Sequence, residues 1–445
     1  MHTVRVGVGA GYSGDRFDAA SLLVERAELD YLVFECLAER TIALGQRARL
    51  NDAQAGYDPF LERRLRTVLP VCVQRGVRIV TNMGAANPAA AGRRVAALAR
   101  DLGLRARIAV VLGDDVLTEV LESHLTVAET GRPVRDLRGI VSANAYLGAE
   151  PIQAALEQEA DIVITGRVAD PSLVLAPIAH AHGWAPDDWQ RMGAGTVVGH
   201  LLECTTQVTG GYFADPGYKD VPDLANLGYP IGLVEPSGDA LITKTPGSGG
   251  LVSPATCKEQ LLYEIHDPRR YLTPDVTADF TNVRFEEVQK DVVRVSGGRG
   301  SKRPDSLKVS LGYLDGFVGE GQISYGGPGA LARARLAGEV VLDRLEVLRI
   351  QARETRVDCI GLDSLFGPSG RDGPPPAEVR LRVAVRTATA EEAAVVGEEV
   401  EALWLSGPAG GGGATKSVRE VLGVVSTFLP RAAVRPEVVV EDARP

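Results

Sequence analysis

The chain has 445 residues, which is enough for two or three domains with several buried cores. Hydrophobic residues make up 45% and charged residues 24%, which are ordinary values for a globular protein and exclude a mainly disordered chain. The formal net charge of -10 leaves no broad positive surface to hold a phosphate backbone. Nucleic acid is therefore not an expected partner.

The N-terminus and the cysteines favour a cytoplasmic protein. The first residues enter an apolar run without the basic start of a signal peptide, and no stretch approaches the roughly 18 to 20 apolar residues of a membrane helix. The five cysteines are odd in number and far apart, as expected for reduced thiols rather than for a disulfide framework. We therefore expect no membrane partner and no disulfide.

Short β-branched runs alternate with longer Ala-, Leu- and Arg-rich stretches through residues 1–192. The runs predict strands at 4–10, 30–36, 77–83, 107–113, 139–145 and 161–167. The stretches between them predict crossover helices at 60–76, 88–103 and 151–160. This alternation predicts an α/β, Rossmann-like domain over 1–192 with a doubly wound, mainly parallel sheet, and a partial barrel is the alternative.

Polar side chains follow these strands. Ligands of open parallel sheets lie beyond the carboxyl ends of the strands, so the residues there are candidates for the site. Glu35 is a candidate catalytic carboxylate. The candidates for substrate binding are Asn82, Asn87, Asp114, Asn144, Arg167 and Asp170. Asx residues after strands also make turns and helix caps, so a structural role stays open for each.

The first loop contains Gly9, Gly11 and Gly14, which approximate the glycine-rich turn of a dinucleotide site. Asp30 and Glu35 are the acidic candidates about 20 residues further on. The pattern is weak, because many proteins without NAD are also acidic at the end of the second strand. Binding of a nicotinamide cofactor is an alternative on this pattern.

Residues 193–445 predict an α+β domain with Gly-rich loops and a ferredoxin-like βα portion. Strands are predicted at 229–234, 240–244, 281–295, 306–314, 317–324 and 378–387, and helices at 254–265, 329–348, 390–404 and 415–428. Residues 364–379 are dense in Pro and Gly and predict a linker. The apolar, Gly-rich character of this half favours a homo-oligomer.

The stretch from residue 193 to 212 carries the most informative group of side chains. A helix over 195–208, ended by Gly210 and Gly211, would place four polar groups on one face. These are His200, Glu203, Cys204 and Gln207. His200 and Glu203 suit acid/base catalysis, Cys204 a nucleophile or a substrate contact, and Gln207 an orienting amide.

Two other interpretations of this polar row stay open. It could be an internal network that joins the helix to the sheet. It could also be a metal site, because His200 and Cys204 lie four residues apart with Glu203 between them. No second cluster of Cys or His is visible in the sequence, so we expect no bound metal.

Three glycine-rich loops of the second half precede predicted helices and could bind an anion, because glycine lets backbone N–H groups converge at a helix N-terminus. The candidate residues are Gly247, Gly249, Gly250, Gly326, Gly327, Gly410, Gly411, Gly412 and Lys416. None of the loops has the P-loop spacing, which disfavours a nucleoside triphosphatase. Tight turns or close packing are the structural alternative for each loop.

Long stretches of the chain resemble the acyclic terpene utilisation protein A family. The similarity lies in GHLLECTTQVTGGYFADP (199–216), in residues 228–280, 305–337 and 405–431, and in the N-terminal motifs GAGYSGDR, TNMGAANP and TGRVADPSLVLAP. The family's most distinctive polar motif falls on His200, Glu203, Cys204 and Gln207. Tyr212 departs from the pattern, in which a polar residue, often Asn, follows the paired glycines.

The resemblance implies a pathway context, the breakdown of branched acyl-CoA thioesters, rather than one reaction. Our hypothesis is a lyase or hydratase-type enzyme that needs no cofactor and acts on an acyl-CoA or a small branched carboxylate. His200 or Glu203 would move a proton next to the carbonyl, and Asn82, Asn144 and Arg167 would hold the oxyanion or carboxylate. The alternatives are a non-catalytic scaffold or assembly subunit and an NAD(P)-dependent oxidoreductase.

Overall fold

The computed structural model describes residues 3–367 and 376–443. The chain divides into two compact units: unit 1 runs to Gly312 and resumes at Val424, and unit 2 comprises Tyr313–Gly423. Part of the linker predicted at 364–379 lies outside the described residues. No described helix is long and apolar enough to cross a membrane.

The strands, in chain order, are β1 (Val4–Ala10), β2 (Tyr31–Phe34), β3 (Arg78–Thr81), β4 (Ala106–Leu112), β5 (Ile140–Ala145), β6 (Ile162–Thr165), β7 (Pro230–Val234), β8 (Ala240–Lys244), β9 (Tyr271–Leu272), β10 (Thr277–Asp279), β11 (Arg284–Gln289), β12 (Val292–Ser296), β13 (Arg299–Ser301), β14 (Ser306–Gly326), β15 (Glu354–Ile360), β16 (Glu378–Thr387), β17 (Gly412–Pro430) and β18 (Glu437–Ala443).

The α-helices are α1 (Asp18–Arg26), α2 (Glu39–Asn51), α3 (Leu61–Arg75), α4 (Pro88–Asp101), α5 (Leu117–Glu122), α6 (Glu150–Glu157), α7 (Asp170–His182), α8 (Trp189–Glu203), α9 (Pro254–Leu262), α10 (Ala330–Val347) and α11 (Ala390–Ser406). The domain boundary predicted between residues 192 and 193 falls inside α8, within unit 1.

Unit 1 is built on a large mixed sheet with the strand order β11-β12-β8-β7-β1-β2-β3-β6-β4-β18. The run from β1 to β4 is parallel, and the strands that flank it on either side are antiparallel. The expected mixed α/β architecture is therefore confirmed. The doubly wound arrangement is not confirmed, because the chain moves in one direction from β1 to β3 and β6 lies between β3 and β4.

Apolar side chains cover both faces of the parallel run. Val33 belongs to one apolar cluster, and its neighbours Leu32 and Phe34 belong to the cluster on the opposite face. Successive side chains of a strand point to opposite faces of the sheet, so neighbouring residues enter different clusters. Because both faces are buried, β2 is a continuous apolar run. Each fully buried side chain of this kind contributes about 1.5 to 3 kcal/mol to folding.

Unit 2 has the element order β14-α10-β15-β16-α11-β17, which is the βαββαβ order of a ferredoxin-like unit. Its sheet has the strand order β15-β16-β14-β17. Side chains of the sheet such as Leu381 pack with Val341 of α10 and Val400 of α11 in one apolar core. The predicted homo-oligomer stays a prediction.

The helix predicted over 415–428 is wrong, because this segment forms strand β17. The segment contains Val418, Val421, Val424, Val425 and Thr427, and β-branched residues favour a strand paired with a neighbour, here β14. Lys416 consequently lies in a strand rather than at the start of a helix, and its ammonium group pairs with Glu401 at 2.6 Å.

Candidate functional site

Helix α8 ends earlier than the sequence predicts. Its last residue is Glu203, and Cys204 follows as the C-cap. Thr205 has a φ of 43°, a left-handed conformation that stops the helix and starts a 3₁₀ turn over Thr205–Gln207. The helix predicted over 195–208 is therefore wrong in its last part, and Gln207 leaves the face that carries His200.

The first loop of the chain holds this turn in place through Asp15. The carboxylate of Asp15 accepts hydrogen bonds from the Gly11 N–H at 3.0 Å, the Thr205 hydroxyl at 2.9 Å and the Tyr229 hydroxyl at 2.6 Å. Hydrogen bonds to a charged acceptor contribute about 1.5 to 3 kcal/mol each. They offset the strain of a β-branched residue at positive φ, which is about 1 to 3 kcal/mol.

The glycines of the first loop are explained by packing. A Cβ atom on Gly11 would lie 2.9 Å from the carbonyl carbon of Cys204, and one on Gly9 would lie 2.5 Å from the ring of Phe34. Glycine therefore allows the loop to touch the end of α8 and the neighbouring strand. The resemblance to a dinucleotide motif has this structural explanation.

A cavity of about 350 Å³, here called cavity A, opens where the first loop meets the end of α8. It lies entirely in unit 1. Its lining residues are Gly11, Tyr12, Asp15, Cys204, Thr205, Thr206, Gln207, Gly211, Tyr212 and Tyr263. Two of the four residues of the predicted polar row, Cys204 and Gln207, thus face a cavity shared with the first loop.

The other two residues of the row, His200 and Glu203, form a buried pair directly before Cys204. His200 Nδ1 and Glu203 Oε1 are 2.7 Å apart, and only 2% of the His200 side chain is exposed. The rings of Tyr271 and Phe280 pack near the imidazole, with centroids 5.4 and 5.7 Å away. Within the described residues, His200 Nε2 and Glu203 Oε2 have no hydrogen-bond partner.

Burial sets the protonation state of this pair. It lowers the pKa of His200 to about 4 and, together with the charges of Asp170 and Glu264, raises the pKa of Glu203 well above its ordinary value. At neutral pH the imidazole is therefore neutral, and burial favours the protonated form of the carboxyl group. The pair places a neutral imidazole, which can accept a proton, beside a carboxyl group whose protonated form is favoured, and this is the combination that acid/base catalysis requires.

Cys204 is half-buried, and burial raises the pKa of its thiol. The protonated thiol rather than the thiolate is present at neutral pH, and a thiol is a weak nucleophile. A role as a contact in cavity A fits this environment better than a role as a nucleophile.

Glu35, which follows the carboxyl end of β2, forms a hydrogen bond with Asn82. Asn82 Nδ2 donates to Glu35 Oε1 at 2.9 Å, and Asn82 Oδ1 accepts from the Cys36 N–H at 2.7 Å. Both side chains are buried, and burial raises the pKa of Glu35. Neither residue lines cavity A.

Asp114, Asn144 and Asn87 also use their polar groups within the protein. Asn144 donates to Asp114 at 2.9 Å, and the Arg167 N–H donates to the same carboxylate at 2.9 Å. Burial raises the pKa of Asp114 to about 6. Asn87 caps α4 by accepting from the Ala90 N–H at 3.3 Å. These bonds fit the structural alternative, and none of the three residues lines cavity A.

Arg167 is buried with its guanidinium held by protein groups. It donates to the carbonyls of Val168 and Leu37 and to the carboxylate of Asp170, and it stacks on the ring of Tyr146. The Asp170 side chain remains 40% exposed although burial is the main cause that raises its pKa.

The strand ends and the polar row are linked through charge. Asp170 raises the pKa of Glu203 and Arg167 lowers it, so these groups lie within electrostatic reach of one another. The sequence predicts that the strand ends lie beside the helix that carries His200, and this stays a prediction. The direct lining of cavity A, however, comes from the first loop and from the turn after α8.

The glycine loops of the second half differ in their surroundings. Gly249 and Gly250 lie against the backbone carbonyls of Asp223 and Thr209, and Gly247 has a φ of 72°, so a tight turn explains this loop. Gly410, Gly411 and Gly412 lead into a strand, so the helix N-terminus expected after them is absent from the described chain.

The remaining loop, with Gly326 and Gly327, does precede a helix, α10 of unit 2. Gly327 lines a cavity of about 590 Å³ there, together with Arg335. Within the described residues, no group of three or more His, Cys, Asp or Glu side chains could hold a metal ion.

The sequence interpretation missed several residues of cavity A. Asp15 stands in the quoted motif GAGYSGDR, and its position after a glycine turn was the available signal. Tyr12 and Tyr263 had none, because a lone tyrosine has no pattern. Tyr212 stands out in the sequence only as a departure from the family's motif.

A family model described as "Acyclic terpene utilisation family protein AtuA" matches residues 4–440, nearly the whole chain. The match includes every residue that lines cavity A and the His200–Glu203 pair behind it. No curated protein and no solved structure matches the chain.

Proposed function

The chain belongs to the acyclic terpene utilisation family, and on this premise we propose that it is an enzyme that transfers a proton next to the carbonyl group of an acyl thioester. The reaction would be of the lyase or hydratase type, and the protein's own side chains would supply the acid and the base. The observation that carries the proposal is the His200–Glu203 pair, directly before the turn whose Cys204 and Gln207 line cavity A.

The charges around cavity A support a neutral acyl derivative over a free carboxylate. Asp15 is the one charged residue among those that line it, and no basic residue is among them in the described chain. A free carboxylate would meet Asp15 without a cation to balance it, whereas a thioester carbonyl is neutral. The cavity volume of about 350 Å³ lies within the usual range of about 300 to 1,000 Å³ for small-molecule sites.

The pair would act through its two atoms that have no partner. With His200 Nδ1–H donating to Glu203 Oε1, Nε2 carries no proton and would take the proton from the carbon next to the carbonyl. The amide of Gln207 would donate a hydrogen bond to the oxygen that becomes negative. In an elimination, the protonated Glu203 would give its proton to the group that leaves the neighbouring carbon. The Nδ1 proton of the resulting imidazolium would then pass to Glu203 Oε1 along their hydrogen bond, which makes both groups neutral again.

The proposal is tested by hydrogen exchange, which requires no knowledge of the complete reaction. Branched acyl thioesters are incubated with the protein in D₂O, and NMR follows the loss of the proton next to the carbonyl. We expect exchange with the wild type and at least about 100-fold slower exchange with His200→Gln and with Glu203→Gln, because positioned acid/base groups contribute about 10² to 10⁴ in rate.

His180→Gln is the matched control. His180 is also partly buried, burial also lowers its pKa, and it does not line cavity A. Exchange should remain near the wild-type rate in this variant. If His200→Gln and Glu203→Gln lose stability but keep the exchange rate per folded molecule, the pair is a structural network and the enzymatic proposal is wrong.

A further inference from the structure

A second cavity, here called cavity B, adjoins cavity A in unit 1. Its volume is about 250 Å³, and it shares Gln207, Gly211, Tyr212 and Tyr263 with cavity A. A ligand that enters cavity A can therefore extend into cavity B past the two shared tyrosines. Their rings meet edge to face with centroids 6.3 Å apart.

Gln260 gives cavity B a specific polar requirement. The residue lines the cavity and is only 2% exposed. Its Nε2 donates to the backbone carbonyl of His200 at 2.9 Å, and the side chain also interacts with the Cys204 thiol. Its Oε1 has no hydrogen-bond partner within residues 3–367 and 376–443. A buried amide oxygen without a donor is unfavourable, so a ligand N–H or O–H at this position would be bound selectively.

The rest of cavity B is neutral and largely apolar. Its one charged lining residue in the described chain is Glu259, which forms an ion pair with Lys219. Phe213 and Leu262 form part of the wall, and Leu262 is 61% exposed. Tyr212 is 88% exposed and has a φ of 59°. Exposed apolar side chains grouped at a cavity are typical of a ligand-binding surface.

We propose that cavity B binds a neutral chain that carries amide groups, of the pantetheine type, while cavity A holds the acyl group. An amide N–H of the chain would donate to Gln260 Oε1, and the rings of Tyr212 and Tyr263 would flank the chain where it passes between the cavities. This inference rests on the proposed function, and it specifies which part of the thioester each cavity recognises.

The same chain occurs in coenzyme A and in the prosthetic group of acyl carrier proteins. The shared chemistry is a thiol followed by two amides, and the two carriers differ in what lies beyond it. Binding of pantetheine, coenzyme A and a holo acyl carrier protein is therefore measured separately. If the nucleotide also contacts the protein, coenzyme A should bind more tightly than pantetheine. If the surface of the carrier protein contacts the protein, the carrier protein should bind more tightly than pantetheine.

The inference is tested by calorimetric titration of the full chain with pantetheine and with an alkyl thiol of similar length that has no amide. We expect saturable binding of pantetheine and roughly tenfold weaker binding by Gln260→Met, because one hydrogen bond to a buried acceptor is lost. The alkyl thiol should not distinguish Gln260→Met from the wild type. Equal pantetheine affinity in both proteins would overturn the role of Gln260.

Tyr212→Asn provides a second variant, because Asn tolerates a positive φ and removes the ring without backbone strain. It should weaken pantetheine binding, whereas the control Tyr218→Asn should not. Tyr218 is equally exposed, at 88%, and lines neither cavity. Wild-type affinity in Tyr212→Asn, or no pantetheine binding by the wild type, would show that cavity B is not the subsite.

Binding and hydrogen exchange separate this inference from the proposed function. A protein that binds pantetheine through Gln260 but exchanges no proton would contradict the proposed reaction alone. A protein that exchanges protons equally well in amide-bearing thioesters and in simple S-alkyl thioesters would contradict the subsite alone.

Discussion

His200 and Glu203 respond in opposite directions to the same burial. Removal from water disfavours the charged form of each, so the pKa of the imidazole falls to about 4 and the pKa of the carboxyl rises. Because the imidazole is neutral at neutral pH, their contact at 2.7 Å is a hydrogen bond rather than an ion pair. This is why the pair can serve as acid and base at neutral pH, and why it should influence stability in acid.

Stability should depend on pH through His200. Its pKa is about 4 in the folded chain and about 6.5 when unfolded, so its neutral form favours folding above pH 6.5 and this contribution is lost as the pH falls towards 4. The difference of about 2.5 pKa units corresponds to about 3 kcal/mol. The free energy of unfolding of the wild type should fall by this amount relative to that of His200→Gln between pH 7 and pH 4.

Urea denaturation of both proteins at several pH values measures this difference. Titrating groups that do not contact His200, such as Asp114 with its pKa of about 6, occur in both proteins and cancel in the comparison. Parallel pH curves for the wild type and His200→Gln would show that the imidazole titrates normally in the folded chain.

Individual residues differ in how far the sequence could assign them. The spacing of His200 and Glu203 is sufficient to predict that they lie on one face of the helix, because residues three apart are neighbours on its surface. Gln207 was misplaced, because the positive φ of Thr205 depends on Asp15, a residue 190 positions away. Asn82 could not be assigned as a partner of Glu35, because a hydrogen bond across strands has no local signature.

Elements were predictable where local preference and packing agree. Strand β1 occupies the predicted residues 4–10, and helix α4 lies within the predicted 88–103. Strand β17 was mistaken for a helix because its apolar residues also fit a helical spacing. Its pairing with β14 is a contact between distant parts of the sequence, and propensity alone does not contain it.

The contact between the first loop and the end of α8 should be sensitive to a single methyl group. Gly11→Ala would place a Cβ atom 2.9 Å from the Cys204 backbone, so the loop must move away. We expect about 1 to 3 kcal/mol lower stability and a lower exchange rate, because cavity A lies at this contact. Chemical denaturation and the D₂O assay measure the two effects.

Gly412→Ala is the control for this substitution. The φ of Gly412 lies outside the left-handed region, and a Cβ atom there would have no neighbour within 4 Å among the described residues. Its stability should remain within about 0.5 kcal/mol of the wild type. If Gly11→Ala is equally harmless, the loop does not press against α8 and the explanation of this glycine is wrong.

The division of the molecule into units could not be deduced from the sequence pattern. Unit 1 is discontinuous, since Leu307, Val309 and Leu311 before unit 2 and Leu429 after it belong to the same apolar core. Composition changes gradually along the chain, whereas the units are defined by which distant segments pack together. The boundary predicted between residues 192 and 193 therefore does not coincide with the end of unit 1.

Unit 2 should be removable without loss of the site. The ring of Tyr313 lies against Gly423, so the first and last residues of the unit are adjacent, and every residue that lines cavities A and B precedes Gly312. A chain that joins Gly312 to Val424 through a short Gly-Ser linker should fold, because the closure of a short loop costs little. It should melt cooperatively and keep its exchange rate and pantetheine affinity. A chain that folds but no longer binds pantetheine would show that the two cavities depend on unit 2, although none of its residues lines them.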